Sequence, residues 1–536
     1  MQARDSWQVG GGFWVTSLGT LVSRVLGLVR DMATAALLGL GEGSVMDALA
    51  IAFRVANLPR RLLGEGALAT SFLPVFSDTW NRDPKRGWQL LSVLFTLLGG
   101  SLGVVVLAVA LLCAAAPVDP ASRELAGLTA AMLPYAIFMC VAAQAAAALQ
   151  ALFEFRWPAL APSLLNVCWL VAVWLVAPRF SGDLLSQAYV IAGAVVASGV
   201  LQLGLLWAAL ARRGFRFDFN WLAAREGVGQ IVRSMAPVAL ALAVTQLNTL
   251  GDSAIAWLLS SPDPQSQRIG WLGDVVYPMQ TGAAAAIYYG ERFYQLPVAL
   301  LGVAIATVIY PLLSRHAARG DRQQIGADLS LGLGLVWFTA LPAGVGMMLV
   351  APTVVPLLFE RGAFSAEDAA RAARMIACYA SGVWAYSALP VLVRGFYAAG
   401  DRLTPARIGV LCVAVDLLLN LALVWPLAER GLAVSTSLAA ALQVVLLAAL
   451  FSRIISPLAW THLRATLVRG SLATVAMAAA VLAVQFGWPP VESRHAAALE
   501  LVTVIVCGVV AYLAAAWLLG VDEVRLLLRR RGGVPN

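Results

Sequence analysis

The chain has 536 residues, 60% of them hydrophobic and only 12% charged, with mean hydropathy +0.81. Soluble domains carry about 25% charged residues, so this composition excludes a soluble globular protein and leaves a polytopic membrane protein. The net charge is +8, and 36 of the 37 basic residues are Arg, Lys85 being the exception; in so apolar a chain the excess is read as membrane topology rather than nucleic-acid binding.

Along the chain, a polar start to Gly12 precedes apolar stretches near the length that crosses about 30 Å of hydrocarbon. No convincing cleavage site follows the first of them, so no cleaved signal peptide is expected. The fold class predicted is all-α with about 14 transmembrane helices: 13–38, 46–79, 89–116, 124–152, 159–178, 185–211, 228–260, 275–314, 327–350, 366–399, 405–426, 431–454, 465–487 and 496–519. Pro59 and Pro297 fall inside two of these and should kink or break them. With the N-terminus inside, predicted inner loops and tails hold 21 basic residues and outer loops 6. That bias predicts both termini in the cytoplasm.

A repeat is visible in the same pass. "ALATSFLPVFS" ending at Ser77 matches "AIATVIYPLLS" ending at Ser314, with Pro74 and Pro311 in register. "FEFRWPAL" around Pro158 similarly matches "AGDRLTPAR" around Pro405. The organisation expected is an N-terminal lobe of six helices (1–225), a C-terminal lobe of six (226–455), and two further helices with a basic tail (456–536). Transporters are commonly built from such repeats, with cargo bound between them.

Ten arginines lie within the predicted spans: Arg24, Arg30, Arg54, Arg60, Arg61, Arg233, Arg292, Arg371, Arg374 and Arg394. Each costs about 2.5–3.5 kcal/mol near the bilayer centre on insertion scales, which points to a water-filled cationic cavity suited to an anionic cargo. In the first span Arg24 and Asp31 share a face by heptad spacing. In the second, Asp47, Arg54 and Arg61 make one stripe, with Glu65 four residues beyond. The guanidinium fork suits phosphate oxygens, and the acids can hold the arginines when cargo is absent. Arg371 and Arg374, near a helix start, are expected to be solvated. In the second half, Asp252 with Gln246 and Asn248, then Asp416 and Asn420 one turn apart, offer hard oxygen ligands for a small cation or a proton; polar contact between helices is the competing reading. The six cysteines all lie in apolar stretches and read as small buried hydrophobes. The three histidines lie in loops without metal-ligand spacing, so no metal site is expected.

The segments "SLGTLVSRVLGLVRDMATAALLG", "MDALAIAFRVANLPRRLLGEGALATSFLPVF" and "YYGERFYQLPVALLGVAIATVIYPLLS" closely resemble the MurJ/MviN lipid II flippases of the MOP exporter superfamily. The resemblance implies two six-helix lobes plus two helices forming a groove for a lipid tail. It implies transport of lipid II, the undecaprenyl-pyrophosphate-linked peptidoglycan precursor, from the inner to the outer leaflet of the bacterial cytoplasmic membrane. It implies cargo contacts at Arg24, Arg30 and Arg292, with Asp47, Arg60, Arg61 and Glu65 as further family positions. Some members bind sodium at a site that Asp252, Asp416 and Thr436 resemble, which with Asn420 from the pattern above makes an ion-coupling set and leaves Na+ and H+ both open. Lipid II, membrane lipids and cell-wall synthesis proteins are the partners it suggests. One departure is the extended stretch 261–287, where the family usually has a short connection. A drug or O-antigen-lipid carrier of the same superfamily is the nearest rival, although a drug exporter should be richer in acid than in Arg. A membrane glycosyltransferase is a more distant rival, because the outer loops lack a catalytic acid pair; the chain is not expected to be an enzyme.

Overall fold

The protein is described from a computed structural model. It covers the backbone of residues 2–40, 45–115, 119–262, 268–270, 273, 275–489 and 493–524, and the side chains in those ranges from residue 18 except 64–67, 69–70, 120, 237 and 240–241. Within these the chain is almost wholly helical: α1 (Gln2–Leu38), α2 (Val45–Pro59), α3 (Leu68–Arg82), α4 (Pro84–Ala115), α5 (Pro120–Met132), α6 (Pro134–Ala151), α7 (Arg156–Val171), α8 (Leu184–Arg212), α9 (Trp221–Leu258), α10 (Ala283–Pro297), α11 (Ala304–Ala318), α12 (Arg322–Phe359), α13 (Ala366–Ala380), α14 (Val383–Ala398), α15 (Leu403–Leu427), α16 (Glu429–Ile454), α17 (Trp460–Gly487) and α18 (Arg494–Leu518). A short two-stranded sheet, Arg268–Ile269 with Val275–Val276, lies in the extended stretch after α9.

Backbone chemistry accounts for the ends and breaks. Side chains of Asp119, Asp183, Asn220, Asp321, Ser365 and Ser493 accept N–H groups at helix starts, supplying partners that the first turn lacks. Both expected proline breaks are present and they are alike. Pro59 ends α2 and leads into a π-helical turn, Arg60–Ala67; Pro297 ends α10 and leads into another, Val298–Val303. A proline cannot donate to the helix ladder and crowds the preceding turn, so the backbone relaxes into the wider winding. The turns sit at matching places in the sequence repeat, but the first carries Arg60 and Arg61 and the second Val298 and Ala299.

Ten helices among the described residues are long and apolar enough to cross a membrane, or eleven if α13 and α14, bent by 40°, make one crossing. The all-α membrane fold is as expected; the count of fourteen is not reached. The three expected spans outside this set, 13–38, 46–79 and 228–260, are stretches rich in charge or polar groups, among them Arg24, Arg30 and Asp31, then Asp47, Arg54, Arg60 and Arg61, then Arg233 and Asp252.

Packing divides the chain into two compact units. The first is Met1–Arg268 with Gln280–Ala285 and Arg361–Phe364; the second is Ile269–Met279, Ala286–Glu360 and Ser365–Asn536. The boundary expected from the repeat, 225/226, falls near the start of α9, which packs in the first unit against α3, α4 and the 60–67 turn. The first core is built on Phe72, Phe76, Leu91, Phe95 and Leu149; the second on Leu329, Val391, Phe396 and Phe451, with a further cluster of Phe338, Met477 and Tyr512 where α12, α17 and α18 meet. Lipid tails are as apolar as Leu, so close fit rather than water exclusion holds such helices together. At Gly302 an added Cβ would lie 2.6 Å from Ser387 Cα, and at Gly344 2.6 Å from the Ala380 carbonyl; only glycine admits these approaches.

Candidate cargo-handling residues

In the first unit the site is built around α1. Arg30 is buried, with 5% exposure, and its guanidinium is held on three edges. Nε and Nη2 donate to Asp31 Oδ1 at 3.0 and 2.6 Å, and Nη1 donates to Asn166 Oδ1 at 3.1 Å. Its plane lies near the rings of Trp169 (4.9 Å) and Phe53 (5.6 Å), which themselves meet edge to face at 5.0 Å. A cation over aromatic faces gains from their quadrupoles, more so when desolvated. The second layer is equally tied: Trp169 Nε1 donates to Thr34 Oγ1 at 2.8 Å, and Asn166 Nδ2 to the Ser23 carbonyl at 2.9 Å. Arg24, two turns earlier on α1, is exposed and has no polar partner among the described residues. The heptad reading joined Arg24 to Asp31; in the fold Asp31 serves its neighbour Arg30 instead, leaving Arg24 available.

The stripe on the second expected span is present, and each of its members has a packing partner. Asp47 is 1% exposed, and its two carboxylate oxygens accept the N–H groups of Gly282 and Ala285, both at 2.7 Å. This is a helix cap provided from another segment: a carboxylate on the positive start of α10. Gly282 takes φ +90, a conformation glycine adopts freely. Arg54 Nη1 donates to the Thr249 carbonyl at 3.2 Å and Arg61 Nη1 to Gln246 Oε1 at 3.3 Å, so both reach α9. Arg60 is half-buried on the π-helical turn. The side chain of Glu65 lies outside the described residues.

In the second unit Arg292, on α10, is half-buried, with Nη2 donating to Tyr288 Oη at 2.8 Å and Cζ 4.8 Å from that ring. Beside it Glu291 is buried and Phe293 lines a cavity of about 500 Å³ formed mainly by α12, α17 and α18. Apart from Thr339 and Tyr512 the cavity lining is apolar, and its size is that of a ligand pocket. Of the expected ion-coupling set, Asp416 and Asn420 are buried on α15 and the Ser435 hydroxyl donates to Asn420 Oδ1. Thr436 on α16 donates to its own helix at Leu432 O, 2.8 Å. Asp252 is 2% exposed on α9, in the first unit. Among the described residues no three His, Cys, Asp or Glu side chains are grouped as metal ligands. Arg371 departs from expectation: it is buried and paired with Glu429 at 3.1 Å, while Arg374 is exposed.

Sequence reasoning missed Asn166, Trp169 and Thr34. The available signal was a lone amide and a Trp three residues apart in an otherwise apolar span, which places both on one helix face.

Fold and site together define a polytopic all-α membrane protein with arginines buried among its helices. Among solved structures the fold is similar to "Lipid II flippase MurJ, inward closed conformation", with TM-score 0.74, 20% identity, and coverage of 96% of this chain and 99% of that one. It is also similar, with TM-score 0.59 and 12% identity over 85% of this chain and 95% of the other, to an inward-facing multidrug-resistance MATE transporter of the MOP superfamily. The family model "Lipid II flippase MurJ" matches residues 35–490. Probable lipid II flippases MurJ of Vibrio cholerae (32% identical, 81% of each chain) and Rhizobium meliloti (30% identical, 95% of this chain and 94% of the relative) are similar along most of their length. The lipid II flippase MurJ of Burkholderia cenocepacia is 31% identical over 80% of this chain and 81% of its own. The chain belongs to the lipid II flippase MurJ family, a family of transporters rather than enzymes.

Proposed function

We propose that this chain carries lipid II from the inner to the outer leaflet of the bacterial cytoplasmic membrane by alternating access, with both termini in the cytoplasm. The observation that carries the reading is Arg292 within an apolar span, next to Phe293, which lines a large apolar cavity, in a chain of this family. A lipid-linked diphosphate has both needs: donors for phosphate oxygens and an apolar path for its tail. Arg24, Arg30 and Arg292 are the cargo arginines, Arg60 and Arg61 secondary ones. Asp47 acts by setting the start of the helix that bears Arg292. The cavity beside Phe293 takes part of the polyprenyl chain. A membrane potential, inside negative, contributes roughly 2.3 kcal/mol per charge per 100 mV toward outward movement of the anion.

The test is complementation: expression of this chain should restore growth to cells depleted of their own lipid II flippase. Gly346→Leu should fail to do so at matched expression. Gly346 has nothing nearer to an added Cβ than Met477 Cε at 3.9 Å, so the new side chain would occupy the cavity without breaking the helix. Growth supported equally by Gly346→Leu would remove the cavity from the transport path.

Coupling to Na+ or H+ is part of the same reading. What supports it is the burial of Asp416 and Asn420 one turn apart on α15, with the Ser435 hydroxyl of α16 on Asn420 Oδ1. Oxygen donors of this kind suit a hard cation. Asp416→Ala should abolish any Na+ or pH dependence of transport while binding of lipid II stays within about twofold. Wild-type transport that is indifferent to both ions would make these residues structural.

A further inference from the structure

Away from the residues assigned to cargo, one rim of the first unit carries a basic, aromatic surface. Three helix ends meet there: α6 ends at Ala151, α7 starts at Arg156 and α8 ends at Arg212, and the connection 214–220 leads from the last of these to the start of α9 at Trp221. The turn after α6 puts Phe153 at φ +58, a backbone conformation that costs a bulky residue energy, and leaves the residue 59% exposed. The turn is tied to the end of α8 twice. Arg213 Nη2 donates to Glu154 Oε2 at 2.6 Å, and Arg212 Cζ lies 5.8 Å from the Trp157 ring.

The connection 214–220 continues the surface and is held rather than loose. Phe215 is buried in the core. The Asp218 carboxylate accepts Gln89 Nε2 at 2.7 Å, and its N–H donates to Ser92 Oγ at 3.1 Å. Between and after these anchors Phe217, Phe219 and Trp221 are about half exposed, at 54%, 52% and 46%. Arg156 and Arg216 are exposed on the same rim and have no partner among the described residues. Glu154 is already paired with Arg213 and Asp218 is held by Gln89, so the uncompensated charge is positive.

Spans end at this rim, so it lies where hydrocarbon gives way to water. Aromatic rings favour that depth, and arginines there meet phosphate oxygens, which their planar fork fits. We propose that this surface is a binding site for an anionic glycerophospholipid. Arg156 and Arg216 hold the phosphate, and Phe153, Phe217 and Phe219 lie along the upper acyl chains. The anionic headgroup is favoured over a soluble protein partner because the exposed rings share the rim with the arginines. This inference is independent of what the transporter carries.

The test uses the delipidated full-length protein in detergent, titrated with dioleoylphosphatidylglycerol or dioleoylphosphatidylcholine and read by native mass spectrometry. A basic residue near an anionic lipid surface contributes about fivefold in affinity. Arg156→Gln with Arg216→Gln should therefore weaken phosphatidylglycerol binding about 30-fold and phosphatidylcholine, whose choline offsets the phosphate charge, far less. Arg315→Gln with Arg319→Gln, at another loop, should change neither. Phe217→Ser with Phe219→Ser should weaken both lipids. Unchanged phosphatidylglycerol binding in the Arg156, Arg216 variant would overturn the proposal, as would equal losses for the two lipids. If that variant instead lost only a pyrophosphate-linked polyprenyl lipid, the surface would be one for cargo capture and the proposal would fail.

Discussion

Arg24→Ala and Arg30→Ala should both abolish transport of lipid II, but only Arg30→Ala should also destabilise the protein. The difference follows from what each side chain touches. Arg24 is exposed on α1 without a polar partner among the described residues, and removing such a side chain usually changes stability by no more than about 0.5 kcal/mol. Arg30 neutralises Asp31, itself 7% exposed, and packs against the rings of Trp169 and Phe53. Its loss leaves a buried carboxylate without its cation, a change that costs about 3–5 kcal/mol. Arg30→Lys should recover only part of this. An ammonium keeps the charge but cannot donate from three fixed edges to Asp31 and Asn166 at once. Melting of the purified variants in one detergent, alongside transport at matched protein amounts, separates the two. Equal melting of Arg30→Ala and wild type would refute the buried-pair account.

Asp47→Ala should cost stability on the order of 3 kcal/mol, since hydrogen bonds to charged groups contribute about 1.5–3 kcal/mol each. The substitution takes the acceptor from two buried N–H groups, Gly282 and Ala285, and the negative charge from the start of α10. Asp47→Asn keeps one carbonyl oxygen and should lie between Ala and wild type. Transport should fall in the same order, because α10 is the helix that carries Arg292. Hydrogen exchange at residues 282–286 is the direct readout: protection should drop in Asp47→Ala before any other helix start loses it. Unaltered protection there would show that another group caps the helix.

Much of the architecture was legible from apolar runs and from proline. The breaks at Pro59 and Pro297 follow from local backbone chemistry, so no tertiary information was needed to place them. Side-chain pairing was another matter. Periodicity puts Arg24 and Asp31 on one face of α1, yet Asp31 turns to Arg30 because Asn166 and Trp169 on α7 hold that guanidinium beside it. Heptad spacing points the stripe of Asp47, Arg54 and Arg61 toward a cavity; in the fold these side chains hold the start of α10 and the side of α9. Arg371 near a helix start reads as solvated until Glu429, 58 residues later, is placed against it. A single sequence carries the faces of helices, but which faces meet is decided by packing between segments far apart in the chain.

The most direct test of the central claim is the leaflet distribution of lipid II in proteoliposomes holding the purified chain, followed with a reagent confined to the outside. Lipid II placed in one leaflet should become accessible in the other with the wild-type chain and at the protein-free background rate with the Arg24→Ala, Arg30→Ala double variant. Redistribution by the double variant at the wild-type rate, or none by the wild type under an imposed potential and with Na+ supplied, would contradict the account.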